Sequence, residues 1–251
     1  MITEPVFYLL AIAAVLIIGI SKGGFGGGMA IAGVPILSLS VDPVTAAGIL
    51  LPILCCMDLM SLKGFWEQWD KALIKRMVPP VIVGILLGAL TFSYFNESAI
   101  RLLLGIMTVL FTLNYWLKTS KEKSAKTPGK AASHFWSAMG GYTSFVAHAG
   151  GPPINMYMLS LRLSKTMYQG TLVLLFTIIN YTKLPLYFFL GQLSAPNLMT
   201  SLTLIPLAFV GVYLGLRLHH MISEALFYRI AYIALFLTGL KLLWDGASGF
   251  N

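Results

Sequence analysis

Apolar positions gather into long runs along the chain, with polar residues confined to the gaps between them. The runs cover 5–20, 29–41, 43–62, 77–95, 99–117, 135–147, 153–161, 171–190, 198–216 and 225–244. Several approach the roughly 20 residues that an α-helix needs to cross a bilayer. No strict two-residue alternation runs through them, which argues against the strands of a membrane barrel and for helices. Two runs are too short to span. Residues 29–41 make about 20 Å of helix and residues 153–161 about 14 Å. Each follows a glycine-rich break and predicts a half-helix or the second arm of a helical hairpin, so a conventional count falls between seven and ten spans.

Composition points to the same medium. The 251 residues are 57% hydrophobic and only 10% charged, with a mean hydropathy of +0.82, against about a quarter charged in a soluble domain. The chain therefore reads as an all-α polytopic membrane protein. Its first apolar run lacks a basic leader, carries Glu4 and has no A-x-A site after it, so it predicts a retained helix and not a cleaved signal. Cys55 and Cys56 are adjacent. A bridge between neighbours is strained, and two thiols make a poor metal site, so both are expected as small packed residues.

The formal charge of +8 would suit a nucleic-acid partner, but its placement does not. Thirteen of the seventeen Lys and Arg lie at Lys22, in 63–76, in 118–130, at Arg162 and Lys165, and at Arg217. Placing all of these on the cytoplasmic face satisfies the positive-inside rule. The opposite face then receives 1–4, 41–43, 95–98, 148–152, 190–197 and the C-terminus, which contain no Lys or Arg. The charge orients the chain in the plasma (inner) membrane and calls for no nucleic acid.

The chain also repeats itself. Gly27-Gly28 matches Gly150-Gly151 at an offset of 123, and Gly48 matches Gly170 at 122. "VPPVIVGILLG" (78–88) and "IPLAFVGVYLG" (205–215) align at 127, as do Glu97 and Glu224. The expected organisation is a first transmembrane repeat over 1–117, a basic cytoplasmic linker over 118–132 and a second repeat over 133–251. With about five apolar segments in each repeat, an odd number, the second copy enters the membrane from the opposite side. Inverted repeats with broken helices in matching places are a recurring plan of secondary transporters.

The breaks carry the candidate chemistry. "GISKGGFGGGMAIAGVP" (19–35) packs six glycines and Lys22 into its first ten positions, between two apolar runs. Non-helical backbone at membrane depth survives only inside protein or beside a watery cavity, and glycine lets a ligand approach backbone N–H groups. A helix starting near Met29 would point its N–H groups and positive dipole end into the break. "AHAGGPPINMY" (147–157) repeats the arrangement, with Pro152 and Pro153 suited to a first helical turn. Both breaks predict hosts for a small anion, deep in the membrane and in polar contact with each other. Close helix packing is the alternative use of such glycines, and it suits Gly84, Gly88, Gly211 and Gly215 better.

"SKGGFGGGMAIAGVPIL", a tract containing "TAAGILLPI", then "HAGGPPINMYML" and "YQGTLVLLFTIIN" together resemble the TauE/SafE sulfite-exporter family, also called toluene-sulfonate uptake permeases. The likeness covers nearly the whole chain. It implies a multi-pass plasma-membrane protein of two repeats that moves sulfite, sulfonates such as sulfoacetate, or related small organic anions. The second motif departs from the family pattern, with Ala147, Ala149 and Pro152 where glycines are common.

The candidate substrate-binding residues are Lys22, Gly24, Gly26, Gly27, Gly28, His148, Gly150, Gly151, Asn155, Asn180, Tyr181 and Lys183. Lys183 sits inside an apolar run two residues before Pro185. An intramembrane charge is a functional hypothesis by default, set against a lysine that snorkels to the outer surface. Asp58, which occupies the place of Asn180 in the first half, and His148 are candidates for coupling to a proton or sodium ion. Asp58 at the cytoplasmic end of its span is the plainer alternative. His219 and His220 are expected as solvated interface residues. No metal, cofactor or enzyme motif is present: H-E-x-x-H, G-x-S-x-G and G-x-x-x-x-G-K-[ST] are all missing. A secondary anion transporter, expected as an exporter by alternating access between the breaks, is the leading expectation, with an anion channel of the same architecture as the alternative.

Overall fold

A computed structural model describes Ile2 and residues 4–26, 33–91, 97–117 and 129–249. Ten helices run through the described residues. The first five are α1 (Pro5–Gly24), α2 (Gly33–Leu37), α3 (Pro43–Gly64), α4 (Lys71–Thr91) and α5 (Glu97–Leu117). The second five are α6 (Lys130–Ala147), α7 (Gly151–Ser160), α8 (Lys165–Phe189), α9 (Ala195–Met221) and α10 (Glu224–Ser248). Seven of them (α1, α3, α4, α5, α8, α9 and α10) are long and apolar enough to cross a membrane. The expected short segments are α2 and α7. Gly27, Gly28, the expected helix start near Met29 and linker residues 118–128 lie outside the described residues.

Local chemistry sets the ends. Asp42 opens α3 by accepting from the Thr45 N–H at 2.9 Å, with Pro43 in the first turn. Those hydrogen bonds hold the Asp42 carboxyl below the usual carboxylate range. Ser164, Ser194 and Ser223 cap α8, α9 and α10 in the same way, each accepting from the N–H three residues on. α1 stops at Gly24, after which Phe25 leaves the helical region and Gly26 takes φ 78°. α6 stops at His148, a non-glycine residue at φ 51°.

Paired glycines bring the helices together. α1 lies along α9, where a methyl group on Gly24 would come within 2.5 Å of the Gly215 carbonyl oxygen. α4 lies along α6, where a methyl group on Gly84 would come within 2.0 Å of the Ala138 carbonyl oxygen. The same contacts recur at fixed offsets. Gly84 meets Ala138 and Gly88 meets Tyr142 and Phe145, while Gly211 meets Leu16 and Gly215 meets Ile20 and Gly23. Gly48 faces the Gln192 carbonyl, and Gly170 faces the Gln68 carbonyl. α3 packs on α8, and α5 on α10. The core between them is apolar, with Ile49, Leu50, Leu51, Met57, Leu175 and Ile179 fully enclosed.

Candidate functional site

The polar centre of this core stands on α1, α3 and α8. Lys22, on the last turn of α1, is 5% exposed, and its Nζ donates to Asp58 Oδ1. Asp58 is 1% exposed and lies six residues before the end of α3. It is therefore enclosed, although it lies near the end of its helix. Asn180 on α8 donates its Nδ2 to Asp58 Oδ2 at 2.6 Å. Both carboxylate oxygens are thus engaged, and the Lys22 ammonium also faces the Phe176 ring, 5.9 Å from its centroid.

Three residues beyond Asn180, and so on the same side of α8, Lys183 is 1% exposed. Its Nζ donates to the Ser144 carbonyl oxygen of α6 at 2.8 Å and lies 5.3 Å from the Tyr187 ring centroid. It does not snorkel to a surface. The Tyr187 hydroxyl is hydrogen-bonded to His148 Nε2 at 2.6 Å, which ties α8 to the second break. One lysine from each half, an aspartate and an asparagine therefore gather at the centre of an apolar bundle.

The breaks flank this centre. Gln169 clamps the first. Its Oε1 accepts from the Gly26 N–H at 2.6 Å, and its Nε2 donates to the Lys22 carbonyl oxygen at 2.6 Å. Beside it, the Tyr168 hydroxyl donates to Asn155 Oδ1 on α7 at 2.5 Å. The second break is held by Thr143, whose carbonyl accepts from the Ala149 N–H and whose hydroxyl donates to the Ala149 carbonyl. Among the described residues the two breaks bond to α8 at Gln169 and Tyr187, positions about 27 Å apart along the helix. They bracket the lysine–aspartate centre, and the second segment comes to the first break at Asn155, whose Oδ1 would lie 3.4 Å from a Cβ added at Gly26.

Several candidates fall elsewhere. Tyr181 is 39% exposed on the outer side of α8. Gly24 packs against Gly215, and a methyl group on Gly150 would come within 2.6 Å of Ser144 Cβ, so both serve close backbone approach. Gly151 opens α7. His219, expected in solvent, is fully buried; its Nδ1 donates to the Gly24 carbonyl at 3.0 Å and secures the end of α1. His220 is exposed. Gln169, Tyr168, Ser144 and Tyr187 were not anticipated. The sequence signal for Gln169 and Tyr168 is their place in "YQGTLVLLFTIIN", beside Gly170, the partner of Gly48.

Lys22, Gly26, Asp58, Gln169 and Phe176 line a cavity of about 10 Å³, about the space of one water molecule. A cavity of that size is too small for sulfite or a sulfonate. Among the described residues no cluster of His, Cys, Asp or Glu could hold a metal ion, and Cys55 and Cys56 are free thiols. The family described as Sulfite exporter TauE/SafE matches residues 11–242. No curated protein and no solved structure matches the chain. A family match over nearly the whole chain, on a bundle with seven membrane-length helices, makes this multi-pass membrane protein a member of the TauE/SafE sulfite exporter family of transporters.

Proposed function

We propose that the protein is a secondary transporter of the plasma membrane that exports small anions such as sulfite, sulfonates or sulfoacetate by alternating access. Lys22 and Lys183 hold the anion. Asp58 is the counter-charge that Lys22 releases when the anion arrives, and it is the residue through which a proton or sodium ion couples. The Gly26–Gln169 clamp and the His148–Tyr187 bond are the two gates, one on each side of the lysine centre. The single observation that carries this reading is the burial of two lysines, one from each half, against one aspartate at the core. Such charges are costly in a membrane and are retained where ions pass.

The duplication is read as inverted, over 1–117 and 133–251. It is supported by the recurring glycine contacts and by Asp58 bonding its own counterpart, Asn180. Residues that touch their equivalents lie beside the axis relating two copies, which is where an alternating-access site belongs. The basic segments place the Gln169 gate toward the cytoplasm.

The test is Lys183→Met in proteoliposomes, with sulfite and sulfoacetate as probes. Loss of a charge-assisted hydrogen bond worth about 1.5–3 kcal/mol predicts roughly tenfold or weaker binding. The folded protein should persist, because removing a buried ammonium relieves about 3 kcal/mol of insertion cost. Unchanged affinity and flux in a well-folded Lys183→Met protein would remove Lys183 from the site. Saturable flux driven by a proton or sodium gradient supports a transporter; large unitary currents that follow only the anion's own gradient would make it a channel.

A further inference from the structure

A second cavity, of about 660 Å³, opens between the end of α5, the α7–α8 connection and the first turns of α10. Its volume is that of a small-molecule site. Arg162 and Arg229 supply its cationic lining, Glu224 its one carboxylate, and Tyr115, Tyr228 and Tyr232 an aromatic wall. The lining is held in place by specific bonds. The Tyr228 hydroxyl donates to the Leu163 carbonyl and fastens the α7–α8 connection to α10. Lys165 Nζ donates to the His219 carbonyl at 2.7 Å and also to the Ile222 carbonyl, which fixes the approach to α10. Arg162 takes φ 50°, a left-handed conformation that a non-glycine residue keeps only when its surroundings hold it there. Tyr115 lies flat on Tyr232, with centroids 3.6 Å apart and planes within 8°.

Two guanidinium groups against one carboxylate favour an oxyanion, which arginine can grip through paired N–H donors. The tyrosine wall favours an apolar body attached to it. The tyrosine wall continues inward. The Tyr228 ring meets Tyr168 with centroids 6.0 Å apart. Tyr168 in turn stands against Gly26, where an added Cβ would lie 3.1 Å from its ring. One layer of tyrosine separates this cavity from the first break.

We infer that the 660 Å³ cavity is a recruitment site, where sulfonates or carboxylates with a short hydrocarbon or aryl group dock on Arg162 and Arg229 before passing Tyr168 to the central lysines. The passage inward rests on the transport reading above; the docking does not. Arg162 and Arg229 are specificity-determining residues that select for charge at the mouth, apart from the buried centre.

The test uses the full chain with Cys55→Ala and Cys56→Ala, and Ala225→Cys as a reporter on the cavity wall. Modification by anionic 2-sulfonatoethyl methanethiosulfonate is compared with its cationic trimethylammonio analogue, each relative to a free thiol in the same micelles. The anionic reagent should be favoured about tenfold, within the range of electrostatic steering, and the preference should fall with salt. Adding Arg162→Gln and Arg229→Gln should abolish it, and benzenesulfonate should slow the reaction only while both arginines are present. No anionic preference, or a preference that survives the double substitution, overturns the inference. Protection by phosphatidylglycerol and not by benzenesulfonate overturns it in favour of a lipid-headgroup site. In transport, Arg162→Gln/Arg229→Gln should raise KM about tenfold with kcat unchanged, the size expected when steering is lost; an unchanged KM would overturn the passage inward. The labelling pattern should be the same in Lys183→Met, so failure of the central site and failure of the recruitment site are told apart.

Discussion

Asp58→Asn removes the charge that faces Lys22 and leaves its ammonium enclosed in the core beside the Phe176 ring, without the carboxylate that balanced it. The new amide has one carbonyl oxygen, while Lys22 and Asn180 both donate into this place. One buried donor is therefore left without an acceptor. Breaking a buried ion pair by removing one partner costs about 3–5 kcal/mol, whereas replacing both is often neutral. Asp58→Asn and Lys22→Met alone should each destabilise the protein by about 3 kcal/mol or more. The double variant Lys22→Met/Asp58→Asn leaves the new amide oxygen to accept from Asn180 and no charge unpaired. It should lie within about 1 kcal/mol of the unsubstituted protein, a coupling energy of about 5 kcal/mol or more and beyond the usual range for contacting residues. Equilibrium unfolding in mixed detergent micelles measures all four corners of the cycle. If the single losses simply add in the double variant, the two side chains are not paired and the central site is wrongly built. The same double variant should be inactive in transport, because it is stable for a reason that removes the anion's host.

How much of this was legible in the sequence differs between scaffold and centre. The ten apolar runs reappear as ten helices because the bilayer imposes one rule on every span: backbone groups bonded within the helix and an apolar surface outside. The ends differ where charge is involved. α4 starts at Lys71 and α6 at Lys130, before the apolar runs begin, since a helix continues into solvent while its charged side chains remain hydrated. The offset of 122 makes Asp58 and Asn180 counterparts, but an offset carries no information on whether counterparts touch. Their 2.6 Å bond depends on how α3 crosses α8. His219 was misjudged for a related reason. A histidine beside Arg217 and His220 has the composition of a surface, yet its ring is turned inward to the Gly24 carbonyl by the packing of α9 on α1. Gln169 was missed because a single amide in an apolar helix has no pattern; its role exists only once Gly26 is brought to it.

Gly84→Ala should cost more stability than Gly211→Ala. The added methyl group meets backbone oxygen at 2.0 Å in the first case and Gly19 Cα at 3.1 Å in the second, and overpacking of this kind costs about 1–3 kcal/mol. Gly129→Ala, which meets nothing within 4 Å, is the control, and thermal unfolding ranks the three. Asp42→Ala should weaken the start of α3 by about 1 kcal/mol, while Asp42→Asn, another good cap, should lose little. Because the folded Asp42 carboxyl titrates below its unfolded value, its contribution is present above the unfolded pKa and fades as pH falls through the folded one. A stability difference between Asp42 and Asp42→Ala that grows on acidification would refute this. The orientation of the two repeats is tested by single cysteines at Ser124 and Ser194 in a protein lacking Cys55 and Cys56. Ser124 belongs to the lysine-rich linker and Ser194 caps α9 in a segment without Lys or Arg. Between them lie α6, α7 and α8, of which only the 25-residue α8 is long and apolar enough to cross alone; the proposed topology has α6 and the 10-residue α7 go in and return as a hairpin. One net crossing separates the sites. An impermeant thiol reagent applied outside should reach Ser194→Cys and not Ser124→Cys. Labelling of both from one side would mean that the α6–α7 pair crosses the membrane, and it would undo the placement of the Gln169 gate on the cytoplasmic side.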